Sequence, residues 1–255
     1  MKHLSILFDF IVNDFRSRYV NNSLGGIWAF IQPAITILIF WFVFTVGFKS
    51  AAVGGTPFIL WLISGMIPWF FLSESISQGT NAVVENDYLV KKIVFRVEML
   101  SVVKIATAFA MHLVFVVLVM VIFLLYDYQP ALSWLQLFYY LGASIPLLLG
   151  ITWITSSVLV FFRDMGQIVA MAIQFGFWLT PIFWSIDTVP QEYRTFLELN
   201  PANYIVQGYR DSFIGGAWFW EKPFEGLVYW GIALSLLVGG RMVFKRLRPH
   251  FADVL

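Results

Sequence analysis

The sequence predicts an all-α membrane protein: six transmembrane helices, an amphipathic helix lying in the membrane interface ahead of them, and short re-entrant helices before the last span. Three observations predict it. Of the 255 residues, 60% are hydrophobic and 12% charged, with a mean hydropathy of +0.79, whereas a soluble domain is about 25% charged. The apolar residues collect into runs long enough to cross about 30 Å of hydrocarbon. The basic residues between those runs fall mostly on one side.

The whole chain, 1–255, reads as one transmembrane domain. Its first segment, 1–22, contains an amphipathic helix over 3–20. Leu4, Leu7, Phe8, Ile11 and Phe15 recur at helical spacing, and Ser5, Asp9, Asn13 and Arg16 take the other face. Such a helix lies flat in the interface, with Arg16, Arg18 and Tyr19 at headgroup level. Asp9, Asn13 and Asp14 interrupt its apolar residues, so no signal peptide is expected there. Spans are expected over 26–48, 57–78, 102–126, 135–161, 167–184 and 224–244. Thr56 and Pro57 read as N-cap and first residue of the second. Pro33, Pro68 and Pro146 fall inside the first, second and fourth, and Pro181 should break the fifth near its end.

Two polar segments are unusual. In 85–96, ENDYLVKKIVFR, the charges of Asp87, Lys91 and Lys92 alternate with Leu89, Val90, Ile93, Val94 and Phe95. A free loop has no reason to hold five large apolar side chains. Two readings account for them: a short helix pressed into a groove of another protein, or a membrane-surface helix with its lysines on lipid phosphates. In 187–223, Pro190 opens one short helix, and Asn200 with Pro201 opens a second that Gly215 and Gly216 end. Their apolar faces, with Phe196, Leu199, Ile205, Val206, Phe213 and Ile214, suit a re-entrant pair; a surface loop with one helix is the other reading.

The basic residues set the orientation. Lys2, Arg16, Arg18, Lys91, Lys92, Arg96, Lys104, Arg163, Arg241, Lys245, Arg246 and Arg248 gather on one side, against Lys49, Arg194, Arg210 and Lys222 on the other. Both termini and 85–96 are therefore expected in the cytoplasm, and 187–223 outside.

Little in the chain suits catalysis. A net charge of +1 gives no reason to expect nucleic acid. With no cysteine there is no disulfide or thiolate metal site. No phosphate-binding loop occurs, and His3, His112 and His250 are too scattered for a metal motif; catalytic and metal residues are expected to be absent. His112, inside a span, reads better as a packing or interhelical hydrogen-bonding residue than as a ligand. Glu74 reads either as a functional intramembrane carboxylate or as one reaching back to water. The positive signal is aromatic: Phe, Trp and Tyr make up 19% of the chain. Trp41, Phe44 and Phe48 share a face of the first span, and Gln167, Gln174, Trp178 and Pro181 lie near one face of the fifth. Aromatic faces with amides between them suit sugar rings. Packing against lipid is the alternative, which the amides argue against because lipid leaves them unsatisfied.

The motifs resemble those of one family. RSRYVNNSLGGIWAFIQP, with Arg18, Tyr19, Leu24, Gly25, Trp28 and Pro33, is similar to the N-terminal segment of the membrane subunits of polysaccharide-exporting ABC transporters, the O-antigen, teichoic-acid and capsule permeases. GMIPWFF, NDYLVKKIVF, FFRDMGQI, NPANYIVQGYRDSFIGG and RLRPHFADVL complete the resemblance over the whole chain. Arg96 and Ser101 stand where the family commonly has proline, which bears on the shape of the loop's exit.

The resemblance implies the type-2 ABC exporter fold, in which a homodimer docks two cytoplasmic ATPase subunits and exports an undecaprenyl-linked polysaccharide from the bacterial inner membrane. It implies that 85–96 is the coupling helix, with Asp87, Leu89, Lys91, Lys92, Ile93 and Phe95 at the ATPase. Arg16 and Arg18 would then lie near the ATPase or lipid phosphates. No cofactor is expected on this chain, ATP and Mg belonging to the ATPase. Around the two-fold axis, Trp41, Phe44 and Phe48 would oppose Gln174, Trp178 and Trp184 along a sugar path. The segment 187–223 would gate the exit, with Asn200 and Pro201 shaping it and Arg210 and Asp211 at the water boundary. A drug or small-lipid exporter permease of the same fold is a second reading. An intramembrane glycosyltransferase, for which only Glu74 and Asp187 are placed, is a third.

Overall fold

The computed structural model describes the backbone of residues 2–20, 25–49, 52–90 and 96–255. In order these form α1 (Lys2–Phe15), α2 (Gly25–Trp41), α3 (Phe58–Asn81), α4 (Asp87–Val90), α5 (Met99–Leu125), α6 (Gln136–Phe161), α7 (Met165–Leu179), α8 (Gln191–Glu198), α9 (Pro201–Ile214), α10 (Pro223–Leu247) and α11 (Phe251–Val254). Wider π-helical turns extend α1 over Arg16–Val20 and α2 over Phe42–Gly47. Among the described residues, five helical stretches are long and apolar enough to cross a membrane: Ile27–Gly47, Phe58–Asn81, Met99–Leu125, Leu132–Phe161 and Pro223–Val254. The protein is an all-α membrane protein.

The axis of the fold is α3, which packs against α2, α5, α6, α7 and α9. Its Leu60, Ile63, Ile67, Phe71 and Leu72 enter the main core with α5, α6, α9 and α10. A second cluster at one end joins Phe58, Trp61, Leu62, Met66 and Trp69 to Ile182, Phe183 and Val206. A third, at the end carrying most basic residues, joins Ala82, Val83, Leu89, Val97 and Leu100 to Val160, Phe244 and Phe251.

Local chemistry explains several boundaries. The Asn200 side chain accepts from the Ala202 amide at 3.0 Å, Pro201 takes the first helical position, and α9 ends where Gly215 adopts a left-handed φ of 86°. The α3 start differs from expectation by one residue. Pro57 is its N-cap, and Thr56 instead pairs with Val53 through two backbone hydrogen bonds of 2.9 and 3.0 Å. Gly54 and Gly55, both at positive φ, make the tight turn between them. With arginine at 96 and serine at 101, α5 starts at Met99, three residues before the expected span. The apolar run expected over 167–184 is helical only to Leu179, because Pro181 has no N–H to continue the ladder and Thr180 is extended.

α6 and α10 touch through glycine. A Cβ on Gly150 would stand 2.5 Å from the Leu236 carbonyl carbon, and one on Gly240 would strike the Gly150 backbone. Neither neighbour is a side chain that can swing away, and close approach of this kind is how membrane helices gain packing energy. Gly150→Ala should therefore destabilise the protein by about 1–3 kcal/mol, seen as a lower unfolding temperature in micelles. Gly231→Ala, on α10 with open space around it, should leave that temperature unchanged.

Candidate functional site

Four places hold the residues singled out by sequence. The first is the basic end. Leu89 lies inside the chain's own cluster, 6% exposed, while Tyr88 beside it is 55% exposed. Asp87 accepts the Tyr88 amide at 2.7 Å. Lys91, Lys92, Ile93 and Phe95 lie outside the described residues. Sequence reasoning passed over what anchors this segment: Lys104 of α5 reaches Asp14 of α1 at 2.7 Å and Glu85 at 3.1 Å. One buried lysine thus ties the N-terminal helix, α5 and the start of 85–96. The available signal was a lysine within an apolar run, which needs a partner.

The second is the end of α1. Arg16 is exposed, and Arg18 pairs with Glu74 of α3 at 2.7 Å and also donates to Gln78. Tyr19 packs on Phe15, and burial raises its phenol above the ordinary value. The intramembrane carboxylate and the headgroup arginine, separate in the sequence, are one ion pair.

The third is the aromatic face. α2 and α7 meet through a ring pair, Phe40 against Phe177 at 5.5 Å between ring centres. Both are largely uncovered. No residue of the apolar stretch of α2 is buried, and on α7 only Val169 is. Phe44 turns inward onto Phe58 and Phe183. Trp184 is half-buried and its indole donates to the Trp178 carbonyl at 3.3 Å. Trp41, Phe48, Gln174 and Trp178 are exposed.

The fourth is 187–223, whose two helices differ. α8 keeps Tyr193 and Phe196 exposed, with Leu199 exposed just after it, while α9 enters the main core. Arg210 is not at a water boundary, as sequence suggested, but 4% exposed. Its guanidinium stacks on Trp61 at 3.6 Å and donates to the carbonyls of Pro181, Ile182 and Trp61. The Pro181 and Ile182 carbonyls are free because the α7 helix has broken, and the arginine replaces the missing ladder there; the Trp61 carbonyl, inside α3, also accepts from the Ser64 hydroxyl at 2.9 Å. Burial lowers its proton affinity, opposed by Asp211. Asp211 itself accepts from Lys222 at 2.6 Å. Elsewhere, His112 bonds the Tyr209 hydroxyl at 2.7 Å and stacks on Phe71, the interhelical role expected of it.

Residues 10–214 match the family described as ABC-2 type transporter. The chain belongs to that family. Its relatives include the O-antigen export system permease protein RfbA of Klebsiella pneumoniae, 27% identical over 99% of this chain and 97% of that protein. The RfbA of Myxococcus xanthus is 24% identical over 99% and 96%. The polysialic acid transport protein KpsM of Escherichia coli is 22% identical over 80% of each. As an ABC-2 type transporter chain it is a multi-pass membrane permease. The match ends with α9, so the four places above all fall within or beside the shared segment.

Proposed function

We propose that this chain is the channel-forming permease subunit of an ABC transporter that exports an undecaprenyl-linked, O-antigen-type polysaccharide across the bacterial inner membrane. The end-to-end likeness to O-antigen export permeases supports this most. Two copies would form the channel, and ATP hydrolysis on two separate ATPase subunits would drive it. α7 would be the sixth span: its 15 residues rise about 22 Å, and the irregular residues 180–184 complete the crossing. Both termini would lie in the cytoplasm, the α8–α9 segment outside as a gate. Cells lacking the chain should lose surface polysaccharide and accumulate its lipid-linked form at the inner membrane. Unchanged surface polysaccharide would overturn the reading. Likeness to the polysialic acid transport proteins keeps capsule export as a second reading, distinguished by which surface polymer disappears.

In this reading 85–96 docks on the ATPase, and Tyr88 is its exposed described ring. Tyr88→Asp should abolish export while the chain still inserts and keeps its unfolding temperature. Leu89→Asp should act differently, since it buries a charge in the chain's own core and lowers stability by several kcal/mol, about 3–5. Export and unfolding temperature measured together separate the two.

A further inference from the structure

We propose that the crevice between α2, α3 and α5 binds one zwitterionic phospholipid with a primary-ammonium headgroup. The crevice holds about 400 Å³ and runs along the helices: Ile67 and Gln78 of α3, both in its wall, are three turns apart, about 16 Å. Its chemistry changes along that length. One end carries Arg18, Tyr19, Glu74 and Gln78; the rest is walled mainly by Trp28, Ile67, Phe70, Met111 and Phe115. A polar end at the basic side of the membrane and an apolar trough leading from it fit a single amphiphile.

Charge selects the headgroup. Arg18 and Glu74 are the charged residues of the lining, one of each sign. A pyrophosphate would bring several negative charges to one cation and a repelling carboxylate. An anionic headgroup would satisfy Arg18 and leave Glu74 facing it. An ethanolamine headgroup puts its phosphate on Arg18 and its ammonium on Glu74, two charge-assisted contacts. The Glu74 side chain is 44% exposed against 19% for Arg18, so the carboxylate remains open to an incoming ammonium. Gln32, also in the wall, can donate to an ester carbonyl, and the apolar trough takes an acyl chain. The crevice lies apart from Trp41, Gln174 and Trp178, so the proposal holds whatever the transporter carries.

Native mass spectrometry of the full-length protein tests this, after extraction with equal phosphatidylethanolamine and phosphatidylglycerol. The wild type should retain one phosphatidylethanolamine per chain and little phosphatidylglycerol. Ala29→Phe, which fills the crevice without touching the ion pair, should cut that retention about tenfold. Glu74→Gln should reverse the preference toward phosphatidylglycerol, which a merely structural role for the carboxylate would not do. Equal retention of both lipids by the wild type, full retention by a folded Ala29→Phe variant, an unreversed preference in Glu74→Gln, or displacement by an undecaprenyl pyrophosphate probe would each overturn the proposal.

Discussion

Arg210→Ala should lower the stability of the protein by on the order of 3–5 kcal/mol. Three backbone carbonyls, of Trp61, Pro181 and Ile182, accept from the guanidinium in a buried site. The Trp61 carbonyl keeps the Ser64 hydroxyl as a donor, but the Pro181 and Ile182 carbonyls left unpaired cost about 1–3 kcal/mol each, and the stacking on Trp61 at 3.6 Å adds up to about 2 kcal/mol. Arg210→Lys should recover little. A lysine keeps the charge but not the planar fork that reaches three acceptors and lies flat on an indole. Gly65 is part of the same site, since a Cβ there would stand 2.6 Å from the Arg210 Nη2; Gly65→Ala should displace the guanidinium and mimic part of the loss. Unfolding temperatures of the three variants in micelles measure this. A lysine variant as stable as the wild type would show that charge, not the fork, holds the α7–α9 junction.

Trp178→Ala and Trp41→Ala should impair polymer export about tenfold, equivalent to ~1.4 kcal/mol, while changing ATP hydrolysis much less. Both rings are exposed on helices the chain leaves largely uncovered. In a two-fold assembly such faces can build the path between subunits, where repeated weak stacking lets a sugar chain advance without stalling. Phe44→Ala should behave differently. Its ring packs on Phe58 and Phe183, so its loss opens a cavity and should lower stability first, by about 3–5 kcal/mol. Export by reconstituted vesicles, ATP hydrolysis and thermal unfolding, measured side by side, distinguish the two effects. Silent tryptophan variants would mean these rings face lipid.

The sequence by itself determined whatever is local. Composition and apolar runs determined the membrane class, because a soluble domain carries about twice this share of charged residues and has no need of apolar runs long enough to cross a bilayer. Asn200, Pro201 and Gly215 determined the ends of α9, because caps and left-handed turns depend on one or two residues. Pro181 determined that a helix breaks nearby. The order of the motifs determined the family. Tertiary structure alone decided which apolar residue faces what. In a membrane, lipid-facing and core-facing side chains are equally apolar, so periodicity could not tell that Leu89 turns into the chain, that Phe44 turns inward while Trp178 does not, or that α2 and α7 remain uncovered. It also decided which charges meet. Arg18 and Glu74, Lys104 with Asp14 and Glu85, and Arg210 with the carbonyls freed at Pro181 are far apart in the chain. Each cation is driven to its partner because burial makes an unpaired charge costly, and only the packing of helices decides which partner lies within reach.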